Sequence, residues 1–310
     1  MISRRLVRIK TLQTLYSWNQ SEEVDLSIFS KELYSRIQEV HDFYLFLLDF
    51  PYQLQQFALD KQEVEKNKYY PDKSKIQYYS LLNNTPLIGK IHQSLLAHDE
   101  YTTFDWSALA GQMDGFYNTL KSWDFSSDYT FFLEPNLQQQ KEFVDQIFFA
   151  FIETNEAFNN SLEEINPSWY DDMPFAFREI QRISTVDRDR VKINLAPSIQ
   201  PKDEEVLMGA QLLSKTVNNS KMYEELIGTV TENWDPSRIA VMDLLILKLT
   251  LTEFLHFPDV PLKVTINEYL EITKNYSTPN SSKFVNGIMD KLRIDLEGKG
   301  QIHKSARGMK

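Results

Sequence analysis

The chain has 310 residues, 42% apolar and 25% charged, the proportions of a soluble globular protein with room for one large or two ordinary domains. It contains no cysteine, which excludes disulfides, cysteine nucleophiles and thiolate metal sites, and fits a reducing cytoplasm. A net charge of −11 argues against a non-specific nucleic-acid coat but leaves room for a local basic site, because charge distribution matters more than its sum.

Ser3 to Asn19 reads as a helix with Ile9, Leu12, Leu15 and Tyr16 on one face. At 100° per residue, Arg4, Arg5 and Arg8 fall within about one third of its circumference, and no acidic residue precedes Glu22. The first two turns are therefore expected to overhang the body and present guanidinium groups. A solvated, frayed terminus with incidental arginines is the plainer reading. Leu26 to Lys66 is helix-like and rich in aromatics, with a kink or break expected at Pro51. Lys61 to Lys75, densely charged around Tyr69, Tyr70 and Pro71, reads as a connector. Leu81–Leu96 and Phe104–Trp123 are further helical candidates, followed by a loop at Ser126–Asp128 and Pro135. Gln138 to Ile165 reads as one amphipathic helix carrying Phe143, Ile147, Phe148 and Phe151.

Thr154–Trp169 and Asn219–Trp234 share a rhythm of polar start, aromatic, paired glutamates and Trp; partial duplication and coincidence between amphipathic helices both account for it. Arg190 to Leu195 alternates strictly, but with no evident partner it is expected to be an extended loop segment. Pro197 and Pro201 lie in a second connector.

The carboxy-terminal stretch reads as three helices with explicit stops. Asp235 is a good N-cap and Pro236 suits the first helical position. From Arg238 the apolar residues Ile239, Met242, Leu245, Ile246 and Leu249 recur at helical spacing with more between them, so this helix should lie at the centre of a helical domain. Pro258 and Pro261 end it. Val264, Asn267, Glu268 and Ile272 belong to a second helix. Ser281 or Ser282 can cap a third, with Phe284, Val285, Ile288 and Leu292 on one face and Gly287 expected to mark close packing. The tail from Lys299 to Lys310 is basic, lacks apolar periodicity and is expected to be disordered.

The succession Trp234…Arg238-Ile239…Leu247-Lys248-Leu249…Glu253-Phe254, Pro261…Val264…Ile266-Asn267-Glu268 and Lys283-Phe284-Val285-Asn286-Gly287 resembles the carboxy-terminal half of the NusB family of transcription antitermination factors. Arg4-Arg5-Leu6-Val7-Arg8, followed by Leu12 to Trp18, resembles that family's arginine-rich opening helix. The resemblance covers roughly the first 20 and last 80 residues. It implies an all-α, NusB-like helical bundle: an opening helix at 1–20, an inserted or elaborated helical region at 21–200 (connectors near 61–75, 124–136 and 185–203), a carboxy-terminal helical domain at 201–296 and a disordered basic tail at 297–310.

The resemblance also implies function. The family binds single-stranded boxA-type leader RNA together with the small-subunit ribosomal protein NusE, and helps RNA polymerase read through ribosomal RNA operons. It places RNA-binding groups at Arg4, Arg5, Arg8 and Tyr16 in the opening helix, at Tyr276, Asn280, Ser281, Lys283 and Phe284 around the last helix start, and at Asp243, an acid restricted to accepting from a base donor. Such a site would use cations on phosphates and aromatic planes on unpaired bases. Asn280 departs from an acidic family position, and Leu6 interrupts the arginine run. Trp18 and Trp234 are assigned to packing, Asn267 and Glu268 to structural hydrogen bonds.

Catalysis finds no support. Gly298 and Gly300 have no preceding strand, and the five histidines lack metal-site spacing. Asp171–Asp172 and Asp187/Asp189 read as solvated acids in a polar connector. RNA methyltransferases with a NusB-like domain are disfavoured by the missing cysteine and by the lack of an α/β cofactor pattern. No cofactor or membrane association is expected, there being no eighteen-residue apolar run and no signal peptide. The alternative is a helical scaffold of NusB-like fold that binds protein partners rather than RNA.

Overall fold

The computed structural model describes residues 2–23, 25–122, 135–152, 154–187, 190–231 and 239–305. Its elements, in chain order, are α1 (Arg4–Gln20), α2 (Leu26–Lys66), α3 (Lys73–Asn83), α4 (Pro86–Leu96), α5 (Met113–Ser122), α6 (Leu137–Gln146), α7 (Glu156–Ile165), α8 (Trp169–Ile180), the strands β1 (Ser184–Asp187) and β2 (Arg190–Ile193), then α9 (Glu204–Asn218), α10 (Ser220–Val230), α11 (Val241–His256), α12 (Leu262–Tyr276) and α13 (Ser281–Gly298). The fold class is all-α, with one antiparallel hairpin among the described residues. The expected Asp235 cap, Pro236 helix start, Arg238, Trp234, the Ser126–Asp128 loop and Asp189 lie outside the described residues.

The chain forms two compact units. One comprises residues 38–199; the other is assembled from residues 2–37 and 200–310, so α2 contributes to both.

The first unit is built around aromatic packing. Phe46 stacks on Trp106 with ring centroids 4.4 Å apart, Phe43 on Trp169 at 4.9 Å, and Phe50 lies 4.5 Å from Phe158. Such pairs add to area burial through their quadrupoles. α2 runs through Pro51 without a break. Thr85 precedes Pro86 at the first position of α4, which divides the expected Leu81–Leu96 helix into α3 and α4. The expected Phe104–Trp123 helix reduces to a 3₁₀ turn at Trp106–Leu109 and α5. Gln138–Ile165 is likewise not one helix. α6 passes into a π-helical stretch, Ile147–Ile152, and Asn155 then caps α7 by accepting from the Phe158 N–H. The Asp171–Asp172 pair stands in the first turn of α8, with Asp172 buried, rather than in a polar connector. The alternating segment at Arg190 is a strand, not a loop: Ser184 to Asp187 pairs with it in register, Thr185 opposite Lys192.

Within this unit His41 is buried, its Nε2 3.5 Å from the Glu100 carboxylate and its ring 5.3 Å from that of His98. Burial, reinforced by His98, pushes the His41 pKa down to about 4.

In the second unit α11 is buried from Asp243 to Phe254 except at Leu244, as its all-round apolar sequence requires. α1, α9, α12 and α13 pack around it. The close approach is at Gly209 of α9, where an added Cβ would stand 2.9 Å from Val7 Cγ1 and 3.4 Å from Leu33 Cδ2. Gly287, expected to mark close packing, is exposed, with nothing within 4 Å of its missing Cβ. The tail differs from expectation through residue 305. Gly300, at φ 64°, turns the chain after α13, and the Gln301 N–H donates to the Leu296 carbonyl at 2.9 Å. Lys304 Nζ then donates to the Glu253 and Phe257 carbonyls at 3.0 and 2.8 Å, a second bond for each, since they already accept the Phe257 and Val260 N–H groups.

Two tests follow from this packing. In urea titrations Gly287→Ala should gain roughly 0.5–1 kcal/mol from helix propensity, whereas Gly209→Leu should lose about 1–3 kcal/mol by overpacking against a stiff valine. On acidification the unfolded chain takes up a proton near pH 6.5 that folded His41 refuses until about 4, so this contribution to stability is complete above 6.5 and is lost as pH falls through that window. A His41→Gln variant should show a flatter stability profile between those values.

Candidate nucleic-acid interface

The opening helix begins at Ser3, whose Oγ accepts from the Leu6 N–H at 3.2 Å. Its first turns do not overhang the body. Leu6, Val7 and Arg8 are all buried, because α9, α11 and α12 enclose this part of α1.

Arg8 is thereby placed inside the unit. Its Nε and Nη2 donate to the two Glu253 carboxylate oxygens at 2.6 and 3.0 Å, and its guanidinium lies 5.8 Å from the Tyr269 ring centre. Thr265 Oγ1 and Tyr269 OH donate to the same carboxylate at 3.0 and 2.9 Å. Glu253 thus receives four hydrogen bonds, the number an ionised carboxylate can accept. Burial works against the Arg8 charge, but the hydrogen bonds and charge of Glu253 outweigh it and hold the guanidinium protonated. Burial pushes the Tyr269 hydroxyl well above its ordinary pKa, with Glu253 adding to the effect.

Two more expected RNA contacts are also interior. Asp243 is buried and accepts from Ser277 Oγ at 2.6 Å and Ser281 Oγ at 2.8 Å. Ser281 is itself buried and 2.7 Å from Thr278 Oγ1. These bonds anchor the α12–α13 turn to the start of α11. Arg8, Asp243 and Ser281 are therefore enclosed and paired within the unit rather than presented to solvent. Lys248, quoted in the sequence motif, is buried too, donating to Ser220 Oγ at 2.8 Å and to Glu224.

The remaining residues reach solvent. Arg5 is 52% exposed and holds Glu268 in a two-pronged pair at 2.7 and 2.9 Å; Arg4 pairs with exposed Glu204 at 2.6 Å. The Arg5 hydrogen bond holds the Glu268 carboxyl below the usual range despite partial burial. Tyr16 is 42% exposed. Eleven residues separate it from Arg5, which puts the two nearly in line and roughly 16 Å apart along the helix. Tyr276 and Phe284 are half-buried, while Asn280 and Lys283 are exposed. Lys283 and Phe284 line an open groove of about 640 Å³ with Val230, Ile288, Lys291 and Ile294, and Lys283 also borders a second groove with Lys274 and Asn286. Among the described residues Lys283 forms no ion pair.

Neither a group of three potential metal ligands nor a helix long and apolar enough to cross a membrane occurs among the described residues.

Comparison with known proteins places these features. Residues 175–293 match the NusB family. The span holds Asp243, Tyr276, Asn280, Ser281, Lys283 and Phe284, whereas α1 lies before it and joins it through packing. The chain is 39% identical over 99 residues to the transcription antitermination protein NusB of Chloroherpeton thalassium, covering 32% of this chain and 47% of that one. It is 40% identical over 98 residues to NusB of Salinibacter ruber (32% and 61%) and 40% identical over 85 residues to NusB of Natranaerobius thermophilus (27% and 61%). The chain thus spans about half to three fifths of the length of the curated relatives it matches. No solved structure matches it.

Removing one partner of the buried pair should be costly. Arg8→Ala leaves Glu253 buried without its counter-charge and should lose about 3–5 kcal/mol by chemical denaturation. A double Arg8→Met, Glu253→Leu variant should lose clearly less than the sum of the single changes.

Proposed function

We propose, from the NusB family domain at residues 175–293, that this protein is a non-enzymatic RNA-binding antitermination factor that takes single-stranded boxA-type leader RNA together with NusE and acts on RNA polymerase in ribosomal RNA operons. The observation that carries the reading is the groove at the start of α13, where Lys283, which forms no ion pair among the described residues, stands beside the half-buried ring of Phe284 inside the matched span. A cation for phosphate next to a plane for a base is the combination that unpaired RNA requires. Arg5 and Tyr16 repeat that pairing along α1, with Arg4 beside them. Tyr276 and Asn280 border the same turn, and Arg8, Asp243 and Ser281 serve by holding both regions in place.

A specific observation favours a second reading. The two exposed arginines of α1 already hold carboxylates, Glu204 and Glu268, as they would in a scaffold of this fold that binds proteins instead of RNA. Those pairs are solvent-accessible and individually weak, so a phosphate can displace them.

Fluorescence anisotropy with a labelled boxA-type RNA, a scrambled control, purified NusE and a salt series separates the two. Selective binding that tightens with NusE is expected. Arg5→Ala should weaken binding and flatten its salt dependence, whereas Phe284→Ala should lose roughly 1–3 kcal/mol with the slope nearly unchanged. Equal weak binding of both RNAs, indifferent to NusE, would transfer the assignment to the scaffold.

A further inference from the structure

Among the described residues the most exposed aromatic side chains lie in the other unit, far in sequence from the matched span. Tyr69 and Tyr70, between α2 and α3, are 89% and 84% exposed. Their rings meet edge to face, centroids 4.7 Å apart, so their faces are largely left to solvent. In water that arrangement forfeits the burial that usually justifies an aromatic side chain.

Around them the charge balance of the protein reverses. Between Lys66 and Lys75 stand four lysines and one aspartate, in a chain of net charge −11. The aspartate, Asp72, is committed: its carboxylate accepts the Ser74 and Lys75 N–H groups and caps α3. Lys68 pairs with Glu65 at 2.6 Å, and the other Glu65 oxygen accepts the Asp72 N–H, so one buried carboxylate pins both ends of the loop. Lys66, Lys73 and Lys75 are exposed and, among the described residues, form no ion pair; Lys66 donates only to the neutral Gln62 amide. Pro71 further restricts the backbone.

We infer that the Lys66–Lys75 loop is a second, sequence-tolerant contact for single-stranded RNA, with Tyr69 and Tyr70 stacking on unpaired bases and Lys66, Lys73 and Lys75 on flanking phosphates. Exposed π-faces among unpaired cations on a pinned loop supply both components of single-strand binding. A protein partner of ordinary composition would match the tyrosines but would leave Lys66 and Lys73 without counter-charges, Lys75 having only the nearby Glu65 and Asp72, which are already hydrogen-bonded. The inference extends the proposed function beyond the matched span and does not depend on α1 or α13.

The test uses the full-length protein and labelled twelve-nucleotide RNAs of mixed sequence, read by anisotropy across a salt series. Tyr69→Ala/Tyr70→Ala should weaken binding about tenfold or more with the salt slope retained. Lys73→Glu/Lys75→Glu should also weaken it and reduce the slope by roughly 1.4, the value for two phosphate contacts on a single strand. Thermal unfolding should be unchanged in both, since these side chains are exposed. Native affinity in the Tyr69/Tyr70 variant overturns the inference even if Arg5 and Phe284 variants are impaired, and leaves the loop to a protein partner. Loss in the loop variants with native behaviour in Arg5 and Phe284 variants supports the inference and removes the proposed α1–α13 interface instead. Photocrosslinking of RNA containing 4-thiouridine supplies an independent readout. Adducts on residues 66–75 support the loop; adducts confined to α1 and α13 overturn it.

Discussion

The second unit depends on one ion pair. Arg8 and Glu253 are 245 positions apart, and their bond fixes the opening helix against α11, with Thr265 and Tyr269 of α12 completing the carboxylate's shell. Burying two charges is repaid only when the geometry is good and the remaining lone pairs are filled, and here both conditions hold. The Glu253 carbonyl also accepts from Lys304, so the same residue fastens the chain that follows α13. The arginines of α1 therefore differ in surroundings: Arg8 is enclosed on Glu253, whereas Arg4 and Arg5 reach solvent on Glu204 and Glu268.

Much of this was legible in the sequence, and the failures have physical causes. α11 announced its central position because nearly every turn is apolar on all sides, and α12 and α13 followed from their spacing and from the intervening prolines. The hairpin was missed because β2 alternates whereas its partner, Ser184–Asp187, carries a hydroxyl and a carboxylate at its ends and does not declare itself. The single helix expected at Gln138–Ile165 was interrupted by a cap at Asn155 that competes locally with the helical backbone. Arginine spacing could not tell a buried pair from a solvated face. Arg4, Arg5 and Arg8 differ in role because of what α11 and α12 place opposite them. The same holds for Asp243 and Ser281, whose hydroxyl–carboxylate contact joins residues 38 apart. Glycine was misread in the same way: Gly287 lies on an open face, and Gly209, which sequence reasoning passed over, lies under Val7.

The proposed RNA contacts would require this acidic chain to concentrate its cations. Among the described residues Lys283 forms no ion pair, whereas Arg4 and Arg5 are screened by Glu204 and Glu268. A phosphate reaching Arg5 must compete with an anion already bound there, which makes that contact sensitive to geometry as well as to charge.

The second unit is discontinuous in sequence, and this sets an order of events during synthesis. The apolar face of α1, with Val7, Leu12 and Leu15, has its packing partners beyond residue 200. At about 5–20 residues per second, the nascent chain carries that stripe unsatisfied for on the order of 10–40 s before α9 and α11 exist. Residues 38–199 meanwhile form a unit of their own contacts. Completion of the second unit is thus gated by translation: α1 is made before residues 38–199 but is buried only after them, and until then its apolar stripe is open to chaperones and to self-association.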